Sequence, residues 1–257
     1  MRTSVMTHLA WVPEAWLERA REALSGMDER HPSRTVILVP EPHAGDGRLD
    51  ASVSLVSFQV PDADRRMVSE VIELRLVGPR AQAPASVVEP LLISDLPVFL
   101  RWRGEPPWGA AELEQLVQVA DRLIVDSTEW EDDLTHAYER LSELFERAAV
   151  SDIAWARTSR WRSLLAGLWP EIASVSNVRV HGTLPQTLLI GGWLRSRLER
   201  DDIRVEHVPA DRLEGIDLDG SPAPFPPGDL PLPSDVLSDE LDRFARDPVY
   251  EAAVRAT

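Results

Sequence analysis

The sequence predicts an α/β protein with a mixed, partly parallel sheet, helices on both faces and a short C-terminal helical appendage. Three observations predict it. Runs rich in Val, Ile and Leu recur at 34–39, 49–60 and 69–77 with short connections between them, which suits antiparallel or mixed pairing. From residue 97 onward, strand-like and helix-like stretches alternate, the order that right-handed crossovers between parallel strands produce. A capping box, Thr183 with Gln186 three residues later, opens a long apolar helix after a short strand.

Taken in order, residues 12–27 read as a helix: Pro13 suits a first turn, and Trp16, Leu17, Ala20 and Leu24 recur at helical spacing. The 34–39 run (RTVILV) is a strand ended by Pro40 and Pro42. In the 69–77 run, Ile72, Leu74 and Leu76 alternate with Glu73 and Arg75, the period of a half-buried strand. Residues 84–93 form a short helix or turn limited by Pro90. Residues 97–102 (PVFLRW) and 122–126 (RLIVD) are strands flanking a helix at 110–121. Thr128 and Glu131 have capping-box spacing before a helix whose stripe is Leu134, Tyr138, Leu141, Phe145 and Ala148. Then come a helix at 161–169, a strand at 175–180, the capped helix through Leu198 and a strand at 203–208. From Pro209 onward, prolines at 222, 224, 226, 227, 231 and 233 predict a linker, followed by a helix at 234–246. The domains expected are an N-terminal α/β domain at 1–150, a second α/β block at 151–208 that could share its sheet, and a linker with terminal helix at 209–257.

Composition narrows the chemistry. A chain of 257 residues buries a core unaided. Its lack of cysteine excludes disulfides, thiolate nucleophiles, zinc–thiolate sites and iron–sulfur clusters. Its 27 basic residues are all arginine, which excludes P-loop and Schiff-base chemistry, and 43 acidic residues leave a net charge of −16. That field opposes nucleic acid. No apolar run has the length of a signal peptide or a membrane span, so the expectation is a cytoplasmic protein with neither a nucleic-acid nor a membrane partner.

No catalytic constellation emerges. The six histidines are scattered, and GxSxG, GxGxxG and HExxH patterns are lacking; no metal or cofactor is expected. Gly191-Gly192 inside the long helix reads as a close packing contact. Two strand ends stand out instead: Arg101, Trp102 and Arg103 after the first parallel strand, and Asp126 and Ser127 after the second. Parallel strands would bring both to one carboxyl edge, where open α/β sheets bind ligands, with Asp95 at the opposite edge. A second cluster interleaves Trp155, Arg157, Trp161 and Arg162, suited to an interface, to a phosphate or to a stacked sugar. Against this stand plainer readings: tryptophans filling the core, arginines paired with carboxylates, and Asp126-Ser127 capping the next helix.

Several of these segments carry a family pattern. They are His31-Pro32-Ser33-Arg34 before a strand, Ser86 to Leu92 (SVVEPLL) leading into Asp95 to Trp102 (DLPVFLRW), and Ala120 to Ser127 (ADRLIVDS). Further along come Asp152 to Arg157 (DIAWAR), Gly192 to Leu198 (GWLRSRL) and Asp247 to Ala253 (DPVYEAA). In this order they resemble the glucose-6-phosphate dehydrogenase assembly protein family, OpcA, with a C-terminal part shorter than usual and Ser33 where the family often has cysteine. The resemblance implies a non-catalytic partner that promotes assembly or activity of glucose-6-phosphate dehydrogenase, at the entry of the oxidative pentose phosphate pathway. A thiol mechanism is excluded for this chain. Three functions follow for testing. One is an assembly factor with Trp102, Trp155 and Trp161 as interface anchors. Another is a sugar-phosphate or nucleotide binding module at Arg101, Arg103, Asp126 and Ser127. The third is a hydrolase or transferase using Asp126 with a histidine elsewhere.

Overall fold

The computed structural model describes residues 5–24, 33–45, 47–59, 66–131, 133–228 and 232–257. The elements run β1 (Thr7–Trp11), α1 (Leu17–Leu24), β2 (Arg34–Glu41), β3 (Leu49–Gln59), β4 (Arg66–Val77), α2 (Ala85–Val88), β5 (Val98–Trp102), α3 (Ala111–Val119) and β6 (Arg122–Val125). Next are α4 (Leu134–Ser142), β7 (Ala149–Asp152), α5 (Ile153–Arg157), α6 (Ser159–Ala166), β8 (Asn177–Gly182), α7 (Leu184–Leu198) and β9 (Arg204–Pro209). The chain closes with β10 (Gly215–Leu218), β11 (Ser221–Pro222), α8 (Pro233–Leu241) and α9 (Pro248–Arg255). Two compact units form: Met1–Val125 with Arg147–Val150 and Leu232–Phe244, and Asp126–Glu146 with Ser151–Pro231 and Ala245–Thr257.

The first unit is built on a seven-stranded sheet in the order β3-β4-β2-β1-β5-β6-β7. β4, β2, β1, β5 and β6 are parallel neighbours, whereas β3 joins antiparallel to β4 at the outer end. The expected mixed sheet is therefore present, with parallel strands at its centre. β1 lies between β2 and β5, and all five of its residues are buried. Its sequence THLAW has no alternation to read, because a strand covered on both faces needs none. From β1 the chain goes to one side through β2 and returns to the other side through β5, so strand order reverses at β1. On one face Ala10, Ile37 and Val39 pack with Leu17 and Ala20 of α1. That helix is shorter than the 12–27 span: its first residues form a tighter turn at Glu14–Trp16, and 25–27 fall outside the described residues.

The second unit has a four-stranded sheet, β11-β10-β8-β9. β8 and β9 are parallel and joined by α7, while β10 is antiparallel to β8. The Thr183–Gln186 capping box forms as predicted. α7 is buried over most of its length, and both glycines have the packing reason expected of them. A Cβ on Gly191 would lie 2.8 Å from Val205 Cγ2 of β9, and one on Gly192 would lie 2.1 Å from the Ala253 carbonyl oxygen of α9.

Four expectations are corrected. The helix after β6 is capped by Asp133, whose carboxylate accepts from the Thr135 and His136 amides, and not by Thr128 with Glu131; Thr128 turns back to Asp126 instead. The helix placed at 161–169 runs earlier, over Ser159–Ala166. The stretch after Pro209 is not all linker: β10 and β11 form a hairpin closed by Asp219 and Gly220, both at positive φ, which matches the strand twist. The terminal helix at 234–246 stops at Leu241, and a separate α9 starts at Pro248 behind the Asp247 cap.

Candidate functional site

In the first unit the reversal of strand order at β1 marks the place where a doubly wound sheet usually offers its ligand crevice, at the carboxyl ends of β1 and β5. Those ends carry Trp11 and Trp102, aligned by register and stacked at 4.8 Å between ring centroids. The turn after β1 reads Val12-Pro13-Glu14-Ala15-Trp16. It lacks the glycines that let a backbone approach a pyrophosphate. Arg103 places its guanidinium 4.8 Å from the Trp16 ring centre. Arg101 is buried and donates from Nη1 to the Trp102 carbonyl and, at 3.4 Å, to that of Ile124. Aromatic rings and engaged guanidinium groups thus line this edge. Beside it remains a cavity of about 210 Å³, lined by Trp11, Pro40, Pro42, Ala81, Gln82, Ala111 and Glu112. Small-molecule pockets usually span roughly 300–1,000 Å³.

In the second unit a buried polar network begins directly after β6. The Asp126 carboxylate accepts from the Thr128 hydroxyl at 2.6 Å and the Thr128 amide at 3.2 Å, and pairs with Arg157 Nη1 at 3.1 Å. Ser127 is fully buried; its hydroxyl donates to Asp152 Oδ2 at 2.7 Å and its amide to Oδ1 at 3.1 Å. The Ala154 amide adds a third donor to Asp152 at 2.8 Å, and the Tyr138 hydroxyl donates to Ser127 Oγ at 2.9 Å. Burial pushes the Asp152 carboxyl up to about 7; the Asp126 charge adds to the rise, and the three donors oppose it. Burial, then the charge of Asp152, hold the Tyr138 hydroxyl well above its usual range. Tyr138 therefore stays a donor.

A second set of contacts anchors the C-terminal helix of this unit. Trp155 Nε1 donates to Asp247 Oδ2 at 3.0 Å, and Asp247 caps α9 through the amides of Val249 and Tyr250. The Tyr250 ring lies 5.6 Å from that of Trp155 and 5.9 Å from that of Phe145. Arg162 covers the other side of Trp155, 3.4 Å from its ring centre, and donates to Thr158 Oγ1 at 2.9 Å. Trp161 meets Phe225 edge-on, while Arg160 holds the carbonyls of Pro226, Pro227 and Gly228.

Of the residues singled out in sequence, Asp126, Ser127, Trp155, Arg157, Trp161 and Arg162 fall in the second unit, and Arg101, Trp102 and Arg103 in the first. Asp126 and Arg157 are ion-paired. Trp102, Trp155 and Trp161 are buried at 1%, 2% and 4% exposure, which makes them packing residues rather than exposed anchors. Asp152 and Tyr138 are members of this buried network that the sequence reasoning misses. Asp152 has a readable signal, an aspartate before a helical DIAWAR run; it caps α5 through the Ala154 amide. Tyr138 carries none, since its ring fits the apolar stripe of α4. Ser127 has a carboxylate and a phenol as hydrogen-bonding neighbours, and complete burial removes its hydroxyl from any substrate. Among the described residues no group of His, Asp and Glu is arranged to hold a metal ion, and no helix is long and apolar enough to cross a membrane.

The motifs of the second unit thus meet around Asp152, Trp155 and α9. Family models described as the glucose-6-phosphate dehydrogenase subunit N-terminal and C-terminal domains match residues 25–143 and 148–223. The chain belongs to the OpcA family. The OxPP cycle protein OpcA of Nostoc punctiforme is 29% identical over 183 residues, which cover 66% of this chain and 38% of that protein. The OpcA protein of Synechocystis sp. is 24% identical over 192 residues, covering 70% and 40% respectively. The match thus spans about two-fifths of the length of these curated OpcA relatives. A WlbA (WbpB) dehydrogenase from Thermus thermophilus, solved with NAD and UDP-GlcNAcA, aligns with a TM-score of 0.53 at 14% identity, over 98% of this chain and 93% of that one. At that identity the likeness is one of fold.

Proposed function

We propose that this chain is a non-catalytic assembly or activating factor for glucose-6-phosphate dehydrogenase. The observation that carries the reading is the match of both family models, whose descriptions name that dehydrogenase, across most of the chain. The site geometry supports the non-catalytic part. The fold neighbour was solved with NAD; in this chain the reversal point of the sheet has Trp11, Trp102, Trp16 and Arg103 at the strand ends and no glycine-rich turn. The most enzyme-like serine, Ser127, is sealed in the core of its unit. A sheet whose reversal point is filled by aromatic rings and an engaged guanidinium group suits a protein that acts through its surface.

The test is binding. Chain and dehydrogenase from the same organism are mixed and passed over size exclusion with light scattering. A complex of defined mass is expected. Separate elution at micromolar concentrations of both would refute the reading. A sugar-phosphate ligand at the strand ends is the second reading, for which Arg101 and Arg103 would supply the positive charge. It requires a concentration-dependent rise in melting temperature with glucose 6-phosphate.

A further inference from the structure

The outer end of the seven-stranded sheet has an unusual edge. The core stops at β4, where Ile72, Leu74 and Leu76 are buried. Their cross-strand partners on β3 are Val53, Ala51 and Leu49. These project into solvent, and the next apolar residue on the same face, Leu55, does so too; Val53 and Leu55 are each 60% exposed. One face of an edge strand is therefore apolar and uncovered.

Backbone geometry adds a second observation. The Val77 amide donates to the Arg48 carbonyl at 3.0 Å, which makes residues 48 and 77 a hydrogen-bonded pair. Along the antiparallel register such pairs recur every second residue, so the even-numbered residues of β3 bond to β4. The N–H and C=O groups of Leu49, Ala51, Val53, Leu55, Ser57 and Gln59 consequently point outward, away from the sheet. The residues with exposed apolar side chains, Leu49, Val53 and Leu55, also carry the open ladder.

Between residues 51 and 59 the edge has none of the usual guards. Natural edge strands are protected by charges, prolines or bulges. Residues 51–59 (ASVSLVSFQ) contain no ionisable residue and no proline, in a chain where 27% of residues are charged. The single charge on β3, Asp50, is paired with Arg48 at 2.8 Å.

We infer that β3 pairs antiparallel with β3 of a second copy of this chain, joining two sheets edge to edge about a two-fold axis near Ser54. A two-fold axis requires the same strand on both sides, and this strand is complementary to itself. With the axis at Ser54, the register pairs Val53 with Leu55, Ala51 with Ser57 and Asp50 with Phe58, so no like charges are opposed. The outward ladder has the parity such pairing needs, because 53 with 55 and 51 with 57 join odd residues to odd residues. Two chains of net charge −16 repel at most contacts; the uncharged stretch is where that repulsion is least.

The test is sedimentation velocity of the full chain across a concentration series, with three variants. Val53→Pro removes an outward amide and an apolar side chain without touching a bond to β4. Leu55→Lys places like charges beside the axis, and Val53→Thr keeps the strand chemistry. The wild type and Val53→Thr are expected at twice 28.7 kDa. Val53→Pro and Leu55→Lys are expected at the monomer mass with melting temperatures close to wild type at matched low concentration. A monomeric wild type at high concentration overturns the proposal, as does a dimer that survives both disruptive variants. Pairing of the edge with the dehydrogenase alone would show as a monomeric wild type whose complex Val53→Pro abolishes, and it overturns the proposal equally.

Discussion

Replacing Asp152 by asparagine tests the buried network through its pH dependence. In the folded chain the Asp152 carboxyl titrates near 7, against 3.8 for the free group. A raised carboxyl favours the protonated form on folding. Its stabilising contribution is complete below about pH 4 and is lost as pH rises through 7. A shift of that size corresponds to about 4 kcal/mol between the two limits, at about 1.36 kcal/mol per pH unit. The side chain introduced by Asp152→Asn stays neutral throughout. Its Oδ1 can accept from the Ser127 and Ala154 amides as Asp152 does, and its Nδ2 can donate to Ser127 Oγ while the serine hydroxyl turns toward Tyr138. The variant should therefore gain on the wild type by about 2–4 kcal/mol as pH moves from roughly 4.5 to 8.5. Urea midpoints at several pH values, for both proteins, give that difference directly. Parallel stability curves, or a variant that loses ground as pH rises, would show that Asp152 is ionised in the folded chain and would refute the reasoning.

Further outcomes follow from the packing. Gly192→Ala drives a Cβ into the Ala253 carbonyl, backbone that must move by about 1 Å; overpacking of this kind costs roughly 1–3 kcal/mol, read as a fall in melting temperature of several degrees. Gly220→Ala, at positive φ with open space around it, meets no clash, and its loss is limited to backbone strain of about 1 kcal/mol. Trp155→Ala removes a buried ring that touches Tyr250, Arg162 and Asp247, and should cost about 3–5 kcal/mol by chemical denaturation. A destabilisation below about 1 kcal/mol would show that α9 is held by other contacts. NAD and NADP at millimolar concentration should leave the melting temperature unchanged, because the strand ends at the reversal point carry the stacked Trp11 and Trp102 rings and Arg103 over Trp16 in place of a glycine-rich turn.

Much of this architecture is legible in sequence where local signals are strong. β2, β4, β5 and β6 read directly from apolar runs, and α7 from its capping box. Two of the missed elements share a cause. β1 and β7 are four or five residues long and buried on both faces or nearly so, which erases the period of two. The β10–β11 hairpin has a legible signal, Asp219-Gly220 between Leu218 and Ser221, but the surrounding prolines point to a linker. At the site, Asp126 and Ser127 stand out because they end a parallel strand. Their partners do not, since Asp152 lies 25 residues beyond Ser127 and Tyr138 sits in an apolar stripe. The interleaved tryptophans and arginines look the same in sequence whether they face a partner or a core. Only the fold shows that Trp102, Trp155 and Trp161 are inside and that Asp126 holds Arg157.

The most direct test of the central claim is a titration of glucose-6-phosphate dehydrogenase with this chain, following initial rate and dehydrogenase mass in the same samples. An assembly or activating factor predicts a saturable change in kcat or KM, with a mass shift that tracks it and a midpoint set by the dehydrogenase concentration when binding is tight. Rates and masses that stay constant up to a large molar excess of the chain would contradict it.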